Sequence, residues 1–265
     1  MRKALLTVCK ATCGYGKKVI QQDISLSLFS GDFSGIIGSN GTGKTTLFRS
    51  ITGELPLLSG SVLIDGVDIH NMTHKQIARK IAVVNQSFVS APITVFNYVL
   101  MGRIPYFEPF RIGYNTQDKE ITSKYIDMMG IAHLSDKLLC ELSGGEQQMA
   151  SVAMALTQEP SLLLLDEPTS HLDIGYQNLI MRIIKQLNRE LSLSVLMIVH
   201  DLNMASEYCR QLFLLGDKGI VARGTPQDVL TEEHLQKVYH TDVAVASNPF
   251  SGQPTVYPYT PRPRE

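Results

Sequence analysis

A strand, a glycine-rich loop and a helix follow one another between residues 33 and 52, and few folds accommodate that succession. Phe33–Ile37 is apolar, and Gly38–Thr45 matches the pattern G-x-x-x-x-G-K-[ST] ahead of helical spacing. Glycines let backbone N–H groups converge on phosphate oxygens, and a helix N-terminus adds unpaired N–H groups. An ordinary glycine turn is the alternative, which this context disfavours. The pattern predicts that Lys44 reaches the β- and γ-phosphates and that Thr45 holds Mg²⁺. The predicted nucleotide contacts of the loop are Gly38, Ser39, Asn40, Gly41, Thr42, Gly43, Lys44, Thr45 and Thr46.

A second apolar run ends in two acids. Leu162–Leu165 is followed by Asp166 and Glu167. Ligands of open α/β sheets bind at the carboxyl ends of the strands, so Asp166 is a candidate Mg²⁺ ligand. Glu167 is a candidate for polarising a water molecule aimed at the γ-phosphate. Taken alone, the run could equally be a strand that ends in solvated acids, but the loop upstream favours the metal site.

A possible second anion site lies in the sequence Leu142-Ser143-Gly144-Gly145-Glu146. Ser143 and Glu146 have the spacing of a capping box, and two glycines would leave the backbone N–H groups of the helix accessible. The alternative is an ordinary capped helix. One phosphate loop needs only one cradle, so a second cradle suggests a second set of phosphate contacts.

Composition excludes several classes of protein. The 265 residues are 44% hydrophobic, which rules out a disordered or collagen-like chain. The net charge of −1 and the pI of 6.7 provide no basic field for nucleic acid, so no nucleic-acid partner is expected. The four cysteines fit reduced thiols better than a disulfide or a metal site. No apolar run approaches the ~20 residues that a bilayer requires, and we expect a cytoplasmic protein.

Strands and helices alternate along much of the chain, which favours a largely parallel sheet. The first 30 residues are expected to form a β-meander, with strands at Ala4–Val8 and Ile24–Leu28 and a turn at 14–16. Further strands are expected at Phe33–Ile37, Ser61–Ile64, Ile81–Val84, Leu162–Leu165, Val195–Val199 and Leu212–Leu215. Helices are expected at Gly43–Thr52, Ile174–Glu190 and Leu202–Cys209.

The pattern divides the chain into two predicted regions. Residues 1–246 form one domain, into which a helical segment of about residues 93–159 is inserted. Residues 247–265 contain five prolines and are expected to form an extended or disordered tail.

With these motifs the chain resembles the ATP-binding subunits of ABC transporters. Gly38–Thr45 is similar to the Walker A loop, Leu162–Glu167 to Walker B, and Leu142–Glu146 to the LSGGE signature that is diagnostic of the family. The resemblance extends from about residue 4 to residue 246. It implies an α/β P-loop NTPase of the ABC-ATPase fold, with a RecA-like α/β core, an N-terminal antiparallel β subdomain and an inserted helical subdomain.

Four further positions match family motifs one at a time. Tyr15 resembles the aromatic residue that stacks on adenine, and Gln86 resembles the Q-loop glutamine that contacts Mg²⁺ and the attacking water. Asp173 lies in a segment similar to the D-loop. His200 matches the switch histidine that contacts the γ-phosphate. The resemblance thus implies ATP and Mg²⁺ as cofactors. It implies that Lys44, Gln86, Glu167 and His200 are catalytic and that Thr45, Gln86 and Asp166 contact the metal. Further nucleotide contacts are implied for Tyr15, Ser143, Gly144, Gly145, Glu146 and Asp173.

The resemblance also implies partners. Two copies would pair head to tail, with each ATP between the loop of one copy and Ser143 of the other. The pair would dock on integral membrane permease subunits at the inner face of the cell membrane and serve a separate substrate-binding protein. Val99–Tyr106 contains a GR-x-P stretch similar to that of subunits that energise import of iron-siderophores, haem or vitamin B12. A soluble ABC-type ATPase without a transport role and an exporter subunit remain the alternatives.

Overall fold

The computed structural model describes residues 3–86, 91–108 and 113–259. The chain divides into two compact units. Residues 1–70 and 196–265 belong to the first unit, and residues 71–195 belong to the second.

The strands, numbered along the chain, are β1 Ala4–Tyr15, β2 Lys18–Phe29, β3 Phe33–Ile37, β4 Ser59–Ile64, β5 Val67–Asp68, β6 Ile81–Val84, β7 Leu162–Asp166, β8 Ser194–Ile198, β9 Gln211–Gly216, β10 Gly219–Gly224, β11 Val243–Ser247 and β12 Pro254–Pro258. The helices are α1 Lys44–Ile51, α2 His74–Ala78, α3 Val95–Leu100, α4 Thr116–Met128, α5 Gly144–Thr157, α6 Ile174–Leu191, α7 Leu202–Tyr208, α8 Pro226–Val229 and α9 Glu232–Tyr239. A 3₁₀ segment, Met101–Tyr106, directly follows α3.

The first unit contains two sheet regions. The antiparallel sheet has the strand order β2-β1-β4-β5 and uses the N-terminal strands, as the sequence predicts. In the other region β3 runs parallel to β9, and β9 pairs antiparallel with β10. All five residues of β3 are buried, including the polar Ser34, so this parallel strand lacks the alternation of buried and exposed positions that a half-exposed strand shows. The strand ends where the glycine-rich loop begins.

The first turn lies slightly later than the sequence predicts. Gly14 and Tyr15 belong to β1, and the chain reverses at Gly16 and Lys17. A Cβ atom on Gly14 would lie only 2.0 Å from the carbonyl oxygen of Lys18, so this glycine permits close approach within the hairpin. It does not form the turn.

In the second unit β6 runs parallel to β7, from the pair Ile81 and Leu162 to the pair Val84 and Leu165. Helices α3, α4 and α5 pack against one another and lie inside the predicted helical segment. That residues 93–159 form a subdomain of their own stays a prediction, because the compact unit around them extends from residue 71 to residue 195.

The prediction of a separate tail from residue 247 is wrong for the part of it that the structure describes. Strands β11 and β12 form an antiparallel hairpin that crosses the predicted boundary, with Val243 opposite Pro258 and Ser247 opposite Pro254. The two prolines occupy the ends of β12, where a missing N–H group interrupts the ladder least. Residues 260–265 lie outside the described residues.

Candidate functional site

The glycine-rich loop connects β3 to α1 with a backbone that only glycine adopts readily. Gly41 and Gly43 have φ angles of 83° and 86°, and Gly43 immediately precedes the helix. Gly43 is the residue before α1 and has no side chain, so no side chain at this position caps the first N–H groups of the helix. A loop of this conformation before a helix N-terminus suits a phosphate group, so the loop stays the candidate phosphate site.

The lysine of the loop lies folded over it. Lys44 is only 5% exposed, and its Nζ donates hydrogen bonds to the carbonyl oxygens of Gly38 at 2.9 Å and Ser39 at 3.0 Å. Thr42 braces the same loop through a 2.9 Å bond from its hydroxyl to the Ser39 carbonyl oxygen. These two acceptors are neutral carbonyl groups, and phosphate oxygens would offer the ammonium group stronger, charge-assisted bonds.

One residue that the sequence analysis missed supports the loop through hydrogen bonds. Gln21 on β2 is fully buried, and its Nε2 donates to the Thr42 carbonyl oxygen at 2.5 Å and to the Gly216 carbonyl oxygen at 2.8 Å. Its Oε1 accepts from the N–H of Gly219 at 2.6 Å. Burial raises the pKa of Tyr239 on α9 to about 12, while the adjacent backbone of Gly38 acts in the opposite direction, so the phenol stays protonated. A glutamine in a strand carries no sequence signal for a role in supporting the loop.

The structure brings two predicted catalytic residues together. Gln86 Nε2 donates a 2.8 Å hydrogen bond to Oε2 of Glu167. The parallel register of β6 and β7 explains the contact, because both strands end at the same edge. Glu167 also has a φ angle of 53°, a left-handed conformation that is unfavourable for a residue with a Cβ atom. Such strain is typical of functional sites.

The predicted metal ligands have the chemistry that Mg²⁺ prefers. In the parts of the chain that the structure describes, no three His, Cys, Asp or Glu side chains group in a way that could hold a metal ion. Mg²⁺ at phosphate sites usually takes only one or two protein ligands and completes its shell with phosphate and water oxygens. Thr45 and Asp166 offer oxygen ligands of this kind. Gln86 directs its Nε2 at Glu167, which leaves its carbonyl oxygen as the possible ligand atom.

The second predicted anion site is a complete capping box at the start of α5. The Ser143 N–H and hydroxyl donate to Oε2 of Glu146 at 2.8 and 2.7 Å, and the Glu146 N–H donates to Ser143 Oγ at 3.4 Å. These hydrogen bonds, first that of the hydroxyl, lower the pKa of Glu146 below its ordinary value. Gly145 has a packing role as well, because a Cβ atom there would lie 2.5 Å from the ring of Tyr176.

The remaining predicted residues lie at element ends. Asp173 caps α6 by accepting a 2.9 Å hydrogen bond from the N–H of Tyr176. His200 is exposed between β8 and Asp201, which caps α7 through the N–H groups of Asn203 and Met204 at 2.8 and 3.0 Å. Tyr15 is 47% exposed at the end of β1. The P-loop, Tyr15 and His200 belong to the first unit; Gln86, Asp166, Glu167, Ser143 and Asp173 belong to the second.

A parallel β-strand that enters a G-x-x-x-x-G-K-T loop and a helix, together with an acid-tipped strand, defines a P-loop nucleoside triphosphatase. A family model described as "ABC transporter" matches residues 21–170. The chain belongs to the ABC transporter family, and it is an ATPase.

The relatives of the chain are ATP-binding transport proteins. The ferric enterobactin transport ATP-binding protein FepC of Escherichia coli is 36% identical over 93% of this chain and 91% of its own length. The petrobactin import ATP-binding protein FpuD of Bacillus anthracis is 34% identical over 98% and 94%.

Solved structures agree in fold. A chain from a metal-chelate type ABC transporter in an inward-facing conformation aligns with a TM-score of 0.84 and 26% identity, covering 98% of both chains. The ADP conformation of the cassette MJ1267 aligns with a TM-score of 0.80 and 25% identity, over 89% of this chain and 98% of that one. In the described residues we find no helix that is both long enough and apolar enough to span a bilayer.

Proposed function

We propose that this chain is the ATP-hydrolysing subunit that energises import of an iron-siderophore or a related metal chelate, such as haem or vitamin B12. The names of its relatives and its GR-x-P stretch support the cargo class. The hydrolytic step rests on one observation, the 2.8 Å hydrogen bond between Gln86 and Glu167. It holds a carboxylate in a fixed orientation at the end of β7, beside the candidate metal ligand Asp166.

In the proposed mechanism each candidate residue has one role. Glu167 Oε1 accepts a proton from the attacking water while Oε2 stays bonded to Gln86. Lys44 exchanges its bonds to loop carbonyls for bonds to phosphate oxygens and neutralises charge on them. His200 donates to the γ-phosphate, and Tyr15 offers an aromatic face to the base. Mg²⁺, when bound, supplies further neutralisation of phosphate charge.

We further propose that the active form is a head-to-tail homodimer. The Ser143 hydroxyl and the first N–H groups of α5 in one protomer contact the ATP held by the loop of the other, with Gly144, Gly145 and Glu146 shaping this cradle and Asp173 lying at the interface. The accessibility of Ser143 and Gly144 supports this arrangement. A helix N-terminus that presents exposed N–H groups is a suitable partner for a γ-phosphate.

The dimer then docks on integral permease subunits at the cytoplasmic face of the membrane, with a separate binding protein that delivers the chelate. Met101 and Ile104, which are 42% and 46% exposed, support this step because they lie three residues apart in one 3₁₀ segment and so present two apolar side chains on one face. Arg103 between them is only 4% exposed, so its guanidinium does not belong to that surface. We refer to Met101 and Ile104 as the permease patch.

The substitution Glu167→Gln tests the hydrolytic role. It keeps the shape of the side chain and removes the proton acceptor, so we expect ATP hydrolysis to fall by about 100-fold or more while ATP binding persists. Phosphate release and equilibrium nucleotide binding measure the two effects, and sedimentation should show an ATP-dependent dimer. Glu190→Gln, at the exposed end of α6, is the control and should hydrolyse ATP normally.

Near-normal turnover by the Glu167→Gln protein would remove Glu167 as the base. The transport role is tested on the same protein by fractionation of its host cells. A tagged chain should be recovered from detergent-solubilised membranes together with a polytopic membrane protein. Recovery of the chain with partners only in the soluble fraction would contradict a transport role.

A further inference from the structure

The permease patch is attached to α5, the helix that begins at the signature serine. Two neighbouring residues make the attachment, Gly102 and Arg103, and both contact the last turns of α5 rather than the solvent. We refer to Gly102 and Arg103 as the clamp.

Gly102 sets the distance between the patch and the helix. A Cβ atom at this position would lie 2.2 Å from the carbonyl oxygen of Met154 and 3.0 Å from Cβ of Thr157, both on α5. Because the nearest obstacle is backbone, no side-chain rotation can relieve the overlap. Only glycine allows the 3₁₀ segment to lie directly against the helix.

Arg103 fixes the orientation. Its Nη1 donates to the Thr157 carbonyl oxygen at 2.8 Å and to Glu159 Oε2 at 2.9 Å, and its Nε donates to Asp118 Oδ1 on α4 at 3.2 Å. A cation that binds the last carbonyl groups of a helix also favours the negative end of the helix dipole. One planar group therefore joins the patch to two helices at once, with a geometry that lysine cannot reproduce.

Tyr106 adds a third connection to the same end of α5. Its ring lies 3.9 Å from the Arg103 guanidinium carbon, and its hydroxyl donates to the Gln158 carbonyl oxygen at 2.9 Å. The opposite end of α5 is Ser143, 14 helical residues away, or about 20 Å along the axis. Energetic coupling between distant sites can be carried by rigid secondary-structure elements such as this helix. A displacement of one end of α5 therefore also displaces the other end.

We propose that Gly102 and Arg103 are positioning residues that couple the permease patch to the signature serine through α5. Occupation of the patch and capture of nucleotide by Ser143 then favour each other. Linkage makes this coupling reciprocal, so that nucleotide binding must also change the patch. The inference rests on the composite nucleotide site proposed above.

Reciprocity allows a test without the permease. The full chain carrying Glu167→Gln is studied by hydrogen exchange with mass spectrometry, with and without Mg-ATP. We expect ATP to slow exchange in residues 143–150, at the signature, and in residues 101–107, at the patch, by about fivefold or more. When Gly102→Ala is added, the effect at 143–150 should persist and the effect at 101–107 should fall below about twofold.

Arg103→Lys is the second variant, because it keeps a cation beside the buried Asp118 and so protects the fold. It should lose the ATP effect at the patch in the same way. Arg79→Lys is the matched control. Arg79 also lies over the Tyr106 ring, at 4.8 Å, but its Nε donates to the Pro105 carbonyl oxygen, at 3.0 Å, rather than to α5. This variant should behave like the parent.

Two results would overturn the clamp alone. One is slowing of exchange by ATP at residues 101–107 that persists in both clamp variants. The other is no slowing at residues 101–107 in the Glu167→Gln protein when ATP does slow exchange at residues 143–150. Absence of any ATP effect at residues 143–150 in the parent would contradict the composite site, and with it the inference that depends on that site. The two failures are therefore distinguishable.

Discussion

At the scale of single residues, two of the proposed nucleotide contacts, Ser143 and Asp173, are also helix caps. Ser143, Asp173 and Asp201 each accept hydrogen bonds from N–H groups in the first turn of a helix. The sequence analysis set an ordinary capped helix against an anion site at Ser143. The structure shows that the cap is present, and a cap of this kind leaves the remaining N–H groups of the turn for a ligand. The two interpretations are compatible.

The capping box makes stability depend on pH through Glu146. Its pKa is lowered in the folded chain, so its contribution is fully present above the ordinary value of 4.5 and is lost as the pH falls through the lowered pKa. Glu146→Gln retains the box but not the charge, and should reduce the free energy of unfolding by about 0.5 kcal/mol at neutral pH. Denaturant unfolding at a series of pH values should show this difference vanish in acid.

The control for this experiment is Glu190→Gln, which removes a carboxylate near the C-terminal end of α6. It should show no stabilising contribution of the charge at neutral pH, because a negative charge near a helix C-terminus is unfavourable. A stability difference for Glu146→Gln that stays constant down to strongly acid pH would contradict the assignment of the effect to the carboxylate.

At the scale of elements, the glycine-rich loop depends on strands that do not contain it. Gln21 on β2 connects the loop at Thr42 to the β9–β10 hairpin at Gly216 and Gly219. A short loop with several left-handed residues has few internal bonds that hold it in one conformation. The buried amide supplies two donors and one acceptor from outside the loop, and we expect these bonds to preorganise the loop for phosphate.

Gln21→Leu tests this support. The substitution leaves the buried Thr42 carbonyl, the Gly216 carbonyl and the Gly219 N–H without the amide, and should lower the free energy of unfolding by about 2–3 kcal/mol. We also expect ATP affinity to fall, which nucleotide titration at a temperature where the variant is folded would measure. The matched control is Gln22→Leu at the adjacent exposed position, which should leave both quantities near their original values.

Equal effects of Gln21→Leu and Gln22→Leu on nucleotide affinity would show that the buried amide does not preorganise the loop.

The C-terminal hairpin is the other element that depends on distant residues. Asn203 on α7 pairs with the backbone of Val256 on β12, accepting from its N–H at 2.7 Å and donating to its carbonyl oxygen at 3.3 Å. Glu207 on the same helix accepts from Asn248 at 3.1 Å and from the hydroxyl of Ser251. The hairpin is thus fastened to the helix that follows His200, which explains how a strand that contains Pro254 and Pro258 is held in place.

At the scale of the whole molecule, the chain carries one phosphate loop and one signature on two different compact units. A composite site built from two copies would use each motif once per nucleotide. A symmetric pair then contains two equivalent sites, each of which takes residues from both protomers.

Mixed dimers test this arrangement. Lys44→Ala and Ser143→Arg proteins should each be inactive alone, whereas the latter should still bind nucleotide as a monomer. In an equal mixture, half of the dimers combine the two proteins and contain one intact site, so hydrolysis should return to about a quarter of the original rate. Steady-state ATPase assays of the mixture measure this directly.

The control is a mixture of Lys44→Ala with Glu167→Gln. In the proposed pairing, Lys44 and Glu167 of one protomer act on the same ATP, and Ser143 comes from the other protomer. Every site in a mixed dimer then has an intact Ser143 but lacks either the lysine or the base. No activity should return. Failure of the first mixture to recover activity, under conditions where mixed dimers are shown to form, would contradict the head-to-tail pairing.

Much of this protein follows from its sequence alone. The bounds of β3 and β6 and the Ser143 capping box were predictable because each is encoded within a few consecutive residues. The family followed from the same local motifs. Pairing of Gln86 with Glu167 was foreseeable only in outline, since both follow buried strands.

Tertiary structure alone decided the rest. Gln21 supports a loop 21 residues away and a hairpin about 195 residues away, and Arg103 reaches a helix end 54 residues further on. The ring of Tyr176 leaves room only for glycine at position 145. Asn203 holds the C-terminal hairpin through the backbone of Val256. Such contacts leave no periodic or local trace, because they depend on which surfaces meet when the chain folds rather than on the order of neighbouring residues.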